Sequence, residues 1–324
     1  MPRRLTRRYR GKAMALWTPD RITTALWLDA DDAATLTLDG SGNVETWVDK
    51  SGNERDARQA TASDRPAYSG GVLVFDGSSD FLETDLFDSA LQQPISAFLV
   101  GQSNHGATTS TTFLDSQDET RVPRIAYSSS INNWIAGAGL TLTGDGGGLN
   151  EWNIHSNRFD SSNSEIWRNG VLTGTGDAGT DAMSGAYICR NTSGTQHLDG
   201  QVAEVVVIDG ALDEQTRQKI EGYLAHKWGL AASLPAEHPY KDSAPIVLGL
   251  FDGTIADKDD NPAERRITVL DATGHCVATD NSDPVTGAYS IAVLAESPYT
   301  LVFDGEPDLN AQVFANVIPG ESPA

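Results

Sequence analysis

Three aromatic side chains, Tyr127, Trp134 and Trp152, stand in a glycine- and serine-rich middle stretch of the chain. Aromatic faces stack on pyranose rings while polar neighbours bind hydroxyls, so these three are the candidate platform for a sugar. Core packing or an inter-subunit contact is the plainer use of any one of them. Trp27, Trp47, Trp167 and Trp228 fall within regular elements and are expected in the core. Catalytic signatures are sparse, with no HExxH, GxSxG or P-loop sequence. Glu204 and Asp209 lie five residues apart, and a regular strand turns them to opposite faces. Asp257, Asp259 and Asn261 imitate the start of an EF-hand loop. Pro262 stands where glycine is needed, however, and Thr268 where the bidentate glutamate belongs, so the segment reads as a turn. Cys189 and Cys276 have no CxxC partner and no histidine at ligand spacing; both read as small buried apolar residues.

The elements that must hold these residues are mostly strands. Leu36–Leu38 and Val44–Val48 alternate with period two across a glycine-bearing loop. Ser164–Arg168 and Val171–Leu172 flank Asn169-Gly170, the pair that suits a type I′ hairpin turn. Val72–Phe75, Ala97–Gly101, Arg124–Tyr127 and Val202–Ile208 are further strands, and Thr18-Pro19-Asp20 predicts one short helical turn. One full helix is expected, over residues 213–228. Asp213 is placed as its N-cap and Gly229 as its terminator, and Ile220, Tyr223, Leu224 and Trp228 share a face that must meet something apolar. Short strands between Gly, Asn, Asp and Ser turns indicate an all-β jelly-roll sandwich rather than βαβ units. After the joint at residues 241–245, six or seven more strands fit a small immunoglobulin-like or transthyretin-like sandwich.

Charge divides the chain unevenly. Arg3, Arg4, Arg7, Arg8, Arg10 and Lys12 form a basic arm, while the remaining 17 basic and 45 acidic residues leave −28 on the rest. Such a body repels phosphates, so nucleic acid is not an expected partner. No run of about 18 apolar residues predicts membrane insertion, and the basic start lacks the apolar segment of a secretory signal. The arm suits electrostatic docking on an acidic partner or a neighbouring copy. A plain tail, or an extension upstream of a natural start at Met14, explains it equally well.

Leu26-Trp27-Leu28-Asp29-Ala30, Trp47 through Asn53, Arg65-Pro66-Ala67-Tyr68 and Phe75-Asp76-Gly77 resemble the first half of a laminin-G-like, concanavalin-A-like jelly roll. Gly200–Leu212, the helix, Lys227-Trp228-Gly229-Leu230 and His238-Pro239-Tyr240 are similar to that domain's ending, as found in bacteriophage virion proteins and some bacterial surface proteins. Residues 253–303 resemble the carboxypeptidase-regulatory-like or Ig-like modules appended to phage tail and capsid proteins. The resemblance implies domains at 15–243 and 244–324 behind an arm at 1–14. It places Ala25–Leu28 beside Val202–Ile208, with the helix over an end of the sandwich. Calcium is the ion it suggests, with Asp49, Asn53 and Asp76 as oxygen ligands at the rim. Its glycan-hydrolysing relatives carry an E-x-D-x-E array, which is missing here, so no enzyme activity is expected. The implied role is a non-enzymatic virion component in tail, fibre or capsid decoration. It would dock through its arm on other virion proteins, form a homo-oligomer with a trimer the expected form, and hold host-surface glycan. A bacterial surface or secreted glycan-binding adhesin is the rival.

Overall fold

The computed structural model describes residues 16–106, 108–117, 123–246, 248–254, 264–271, 274–294, 299–303, 312–317 and 320–321. The basic arm and the Asp257, Asp259, Asn261 and Pro262 positions lie outside them. The chain divides into two compact units, one from Thr18 to Ala244 and one that groups Leu16 and Trp17 with the chain from Pro245 onward.

The first unit is a jelly-roll sandwich of two antiparallel sheets, and strands far apart in sequence become neighbours. The central strand of the first sheet, Asp199–Asp209, pairs with Ile95–Ser103, Val72–Asp76 and Thr24–Asp29. Beyond Ile95–Ser103 follow Asn153–Phe159, Ser164–Arg168 and Val171–Gly176. The expected meeting of the first and last strands is formed, with Leu26 opposite Val207 and Leu28 opposite Val205. The Asn169-Gly170 hairpin also forms, both residues taking positive φ, 50° and 77°. The second sheet runs from Thr141–Thr143 through Thr111–Asp115 to Leu36–Leu38. Leu26, Trp47, Phe75, Leu99, Phe113, Phe159 and Val205 help fill the space between the sheets.

The helix spans Glu214–Lys227, and Asp213 Oδ1 accepts the Thr216 backbone N–H at 2.7 Å as its cap. It differs from expectation in position. Val205 and Val207 point into the sandwich while Glu204, between them and the bulge at Val202, bonds to the helix. The helix therefore lies on the outer face of the first sheet instead of closing an end. Gly222 sits in mid-helix because Tyr240 of the exit segment packs where a Cβ would project.

The contact is not simply apolar. Glu204, fully buried, accepts from Trp27 Nε1 at 2.7 Å, Tyr223 Oη at 2.8 Å, Lys227 Nζ at 2.8 Å and Trp228 Nε1 at 2.7 Å. Lys227 also bonds to Asp29, and Asp29 with Asp32 holds Lys50 Nζ at 2.9 and 2.8 Å. Burial pushes the Glu204 carboxyl up, against the opposing charge of Lys227. Four donors to one carboxylate satisfy it without water.

The second unit has a three-stranded sheet, with Leu248–Thr254 between Ala288–Leu294 and Gly320–Glu321, and a four-stranded sheet beginning with Cys276–Asn281. Phe251, Ile267, Val269, Ile291, Tyr299 and Leu301 form its core. Cys276 is exposed on the terminal strand of its sheet, contrary to the buried reading; Cys189 is buried.

Substituting Lys227→Met leaves Asp29 and Glu204 facing each other without their shared cation. Unfolding in urea should show a loss of about 3 kcal/mol or more, the scale of a broken buried pair; a loss under about 1 kcal/mol would mean that the network does not hold the helix.

Candidate functional site

The polar interior of the sheet shows first where the expected residues went. Tyr127 and Trp134, only 1% and 2% exposed, face each other across adjacent strands and pack between the sheets. Trp134 lies 5.5 Å from the Phe113 ring and 4.3 Å from the His155 ring. A sugar cannot reach either face, so the three-residue platform does not exist; Trp152 is half-buried just before Asn153–Phe159. Burial drives the His155 imidazole down to about 3, so it is neutral in that stack.

The calcium candidates are committed elsewhere. Asp49 uses both oxygens to accept four donors: the Trp27 and Ser51 backbone N–H groups at 2.9 Å, Ser51 Oγ at 2.7 Å and the Arg55 N–H at 3.1 Å. Asn53 donates to the Thr24 and Ala25 carbonyls at 2.9 and 3.2 Å. Asp76 Oδ1 caps its own turn by accepting from the N–H groups of Ser78, Ser79 and Asp80. An ion at Asp49 would have to displace the donors that tie its loop to the first strand. Among the described residues, no cluster of three or more His, Cys, Asp or Glu side chains is arranged to hold a metal.

What the fold does build is a cavity of about 520 Å³ on the outer face of the first sheet. Its floor is a row of paired residues, Phe98, Ser156 and Trp167, one from each of three neighbouring strands. One wall is the first two turns of the helix, with Glu214, Arg217 and Gln218; the other is the Ser164–Gly176 hairpin, with Glu165 and Leu172. Pro235, Glu237 and His238 close one end.

Each wall is fixed by charge pairing. Arg217 Nη1 donates to both oxygens of buried Glu221 at 2.8 and 2.7 Å, and its guanidinium lies 4.4 Å over the Trp167 ring. His238 Nε2 reaches the same carboxylate at 3.2 Å, which ties the exit segment to the helix. Arg158 pairs with Glu165 at 2.9 Å across the strands. Ser96 Oγ is satisfied by the Gly210 carbonyl at 2.9 Å. Ser156 is not: its hydroxyl is buried in the floor and has no hydrogen-bond partner among the described residues. These groups give the cavity paired donors and acceptors, apolar walls and one unspent hydroxyl, the makings of a binding site.

Sequence reasoning passed over this cavity, although one signal was present. Asn153–Phe159 carries His155, Ser156 and Asn157 in succession, unusual for a strand covered on both faces. Glu204, a lone acid in a β-branched run, was a similar signal.

The chain matches no protein-family model and no curated protein sequence. Solved structures similar to it include Trypanosoma rangeli sialidase in complex with sialic acid, with TM-score 0.46, 12% identity and coverage of 63% of this chain and 33% of that one. Domain 4 of an extracellular arabinanase from Geobacillus stearothermophilus, in complex with arabinotriose, has TM-score 0.43, 16% identity and coverage of 60% and 96%. The receptor-binding domain of botulinum neurotoxin type G has TM-score 0.46, 9% identity and coverage of 91% and 74%. The chain thus spans a third of the sialidase's length. The jelly-roll assignment rests on the strand order itself.

On the second sheet, Asp115 is buried at a strand end and accepts from the Ser116 and Thr192 N–H groups at 3.0 and 3.1 Å. Burial pushes its carboxyl up to about 6, against the charge of Arg124 and those donors. The folded chain therefore keeps a proton that the unfolded chain, titrating near 3.8, has released. Stability from this group rises as pH falls from 7 to 5, by about 1 kcal/mol. Asp115→Asn should remove that increment in urea unfolding compared at the two pH values; an unchanged increment would refute the assignment.

Proposed function

We propose that this chain is a non-enzymatic structural protein of a bacteriophage particle, in the tail, a fibre or capsid decoration, whose jelly roll recognises host-surface glycan. The observation that carries the recognition role is the cavity beside the helix, with a buried hydroxyl in its floor that has no partner among the described residues and paired charges along its walls. The most reactive-looking groups of the closing block, Glu204, Glu221, Lys227 and His238, are engaged in holding helix, sheet and exit segment together. That use favours architecture over catalysis. The particle setting is supported by the likeness of residues 200–240 to the closing block of phage virion proteins. In this reading the basic arm docks on neighbouring virion proteins and copies associate, with a trimer as the expected form.

Antibodies raised against the chain should decorate purified particles in electron micrographs. Label confined to the host cytosol would overturn the virion assignment, and label on the bacterial surface in cells free of particles would select the adhesin instead.

A further inference from the structure

We propose that the cavity between the first helical turns and the Ser164–Gly176 hairpin binds an uncharged, hydroxyl-bearing sugar ring, with Ser156 as its buried anchor. This rests on the glycan-recognition reading above and names the site and the ligand class.

The floor is the first reason. Ser156 is 1% exposed, and its hydroxyl, between Phe98 and Trp167 on the neighbouring strands, has no partner among the described residues. A buried hydroxyl left unpaired is costly, and a ligand that pairs with it recovers that cost on binding. A hydroxyl both donates and accepts, so it is best matched by another hydroxyl.

The second reason is the Arg158–Glu165 pair at the cavity wall. Arg158 donates Nε and Nη2 to the Asn163 carbonyl, its Nη2 forms an ion pair with Glu165 at 2.9 Å, and no partner is found for its Nη1 among the described residues. A donor and a carboxylate side by side match two adjacent hydroxyls, one accepting and one donating. Gln218 adds an amide carbonyl from the helix, its Nε2 donating to Glu214 at 3.1 Å. Leu172, 49% exposed, with Leu212 and Pro235 supplies apolar surface for the C–H faces of a ring.

Charge decides the class. Both lining arginines are already neutralised, Arg158 by Glu165 and Arg217 by Glu221, while Glu214 and Glu237 at the exposed rim add negative charge. An acidic sugar would meet net repulsion there. Position in the sheet keeps an extended peptide off the floor. The floor strands Ile95–Ser103, Asn153–Phe159 and Ser164–Arg168 are each paired on both sides, so the floor itself offers no free edge for strand addition; the terminal strand, Val171–Gly176, stands at the wall.

The test is a panel of neutral and acidic oligosaccharides arrayed against the full chain, with affinities for any hits from titration calorimetry. Neutral glycans should bind, and Ser156→Ala and Glu165→Gln should each weaken them about tenfold. Ser156→Ala removes a hydroxyl that has no partner, so its unfolding midpoint should hold or rise, which separates binding from folding. Preference for acidic glycans would overturn the uncharged assignment while leaving glycan recognition standing. Neutral binding untouched by both variants would overturn the site. Binding to no glycan at all would remove the recognition reading together with this inference.

Discussion

A single buried carboxylate decides where the helix of the jelly-roll unit can sit. Glu204 collects donors from the first strand, the helix and the residue that caps the helix, each at 2.7–2.8 Å. A charge in that position is tolerable only if every acceptor site is used, so the helix cannot slide or rotate without exposing an unpaired charge to an apolar layer. Apolar contacts alone would permit several registers of Ile220, Tyr223 and Leu224 against the sheet. The carboxylate permits one. Lys227 carries the constraint further, through Asp29 to Lys50 and the loop that follows Val44–Trp47.

The cavity is a consequence of that register. With Lys227 held over Glu204, the first turns of the helix lie two to three turns away, where Arg217 reaches Trp167 and Glu221. His238 joins the same carboxylate and Tyr240 closes against Gly222, so the exit segment ends the cavity on that side. One set of hydrogen bonds therefore fixes the helix and exit segment on the outer face of the first sheet and shapes a depression beside them. The residues of the closing block are fixing a surface, and the floor of the cavity lies beside them on other strands.

How much was legible in the sequence follows from whether a feature is local. The helix ends, the Asn169-Gly170 turn and the Pro19 turn depend on a few adjacent residues, and the structure has all three. The pairing of Ala25–Leu28 with Val202–Ile208 was reached by resemblance, since nothing local encodes a partner so distant. The site was not legible for the same reason. Tyr127 and Trp134 lie in a loop-like composition, yet period-two pairing turns both inward onto Phe113 and His155. Asp49 reads as a loop acid until Trp27, Ser51 and Arg55 are seen to converge on it. Side-chain direction in a strand depends on register, and bulges such as the one between Val202 and Glu204 reset it.

The acidity of the chain takes on a more specific meaning in this frame. A charge of −28 outside the basic arm sets a background that disfavours anionic ligands, and the paired arginines of the cavity do not reverse it locally. Arginines are present where an anion would need them, but each faces a glutamate within 3 Å. Had the pairing served anion capture, the carboxylates would be the groups to lose. As pairs, they present neighbouring donors and acceptors with little net field.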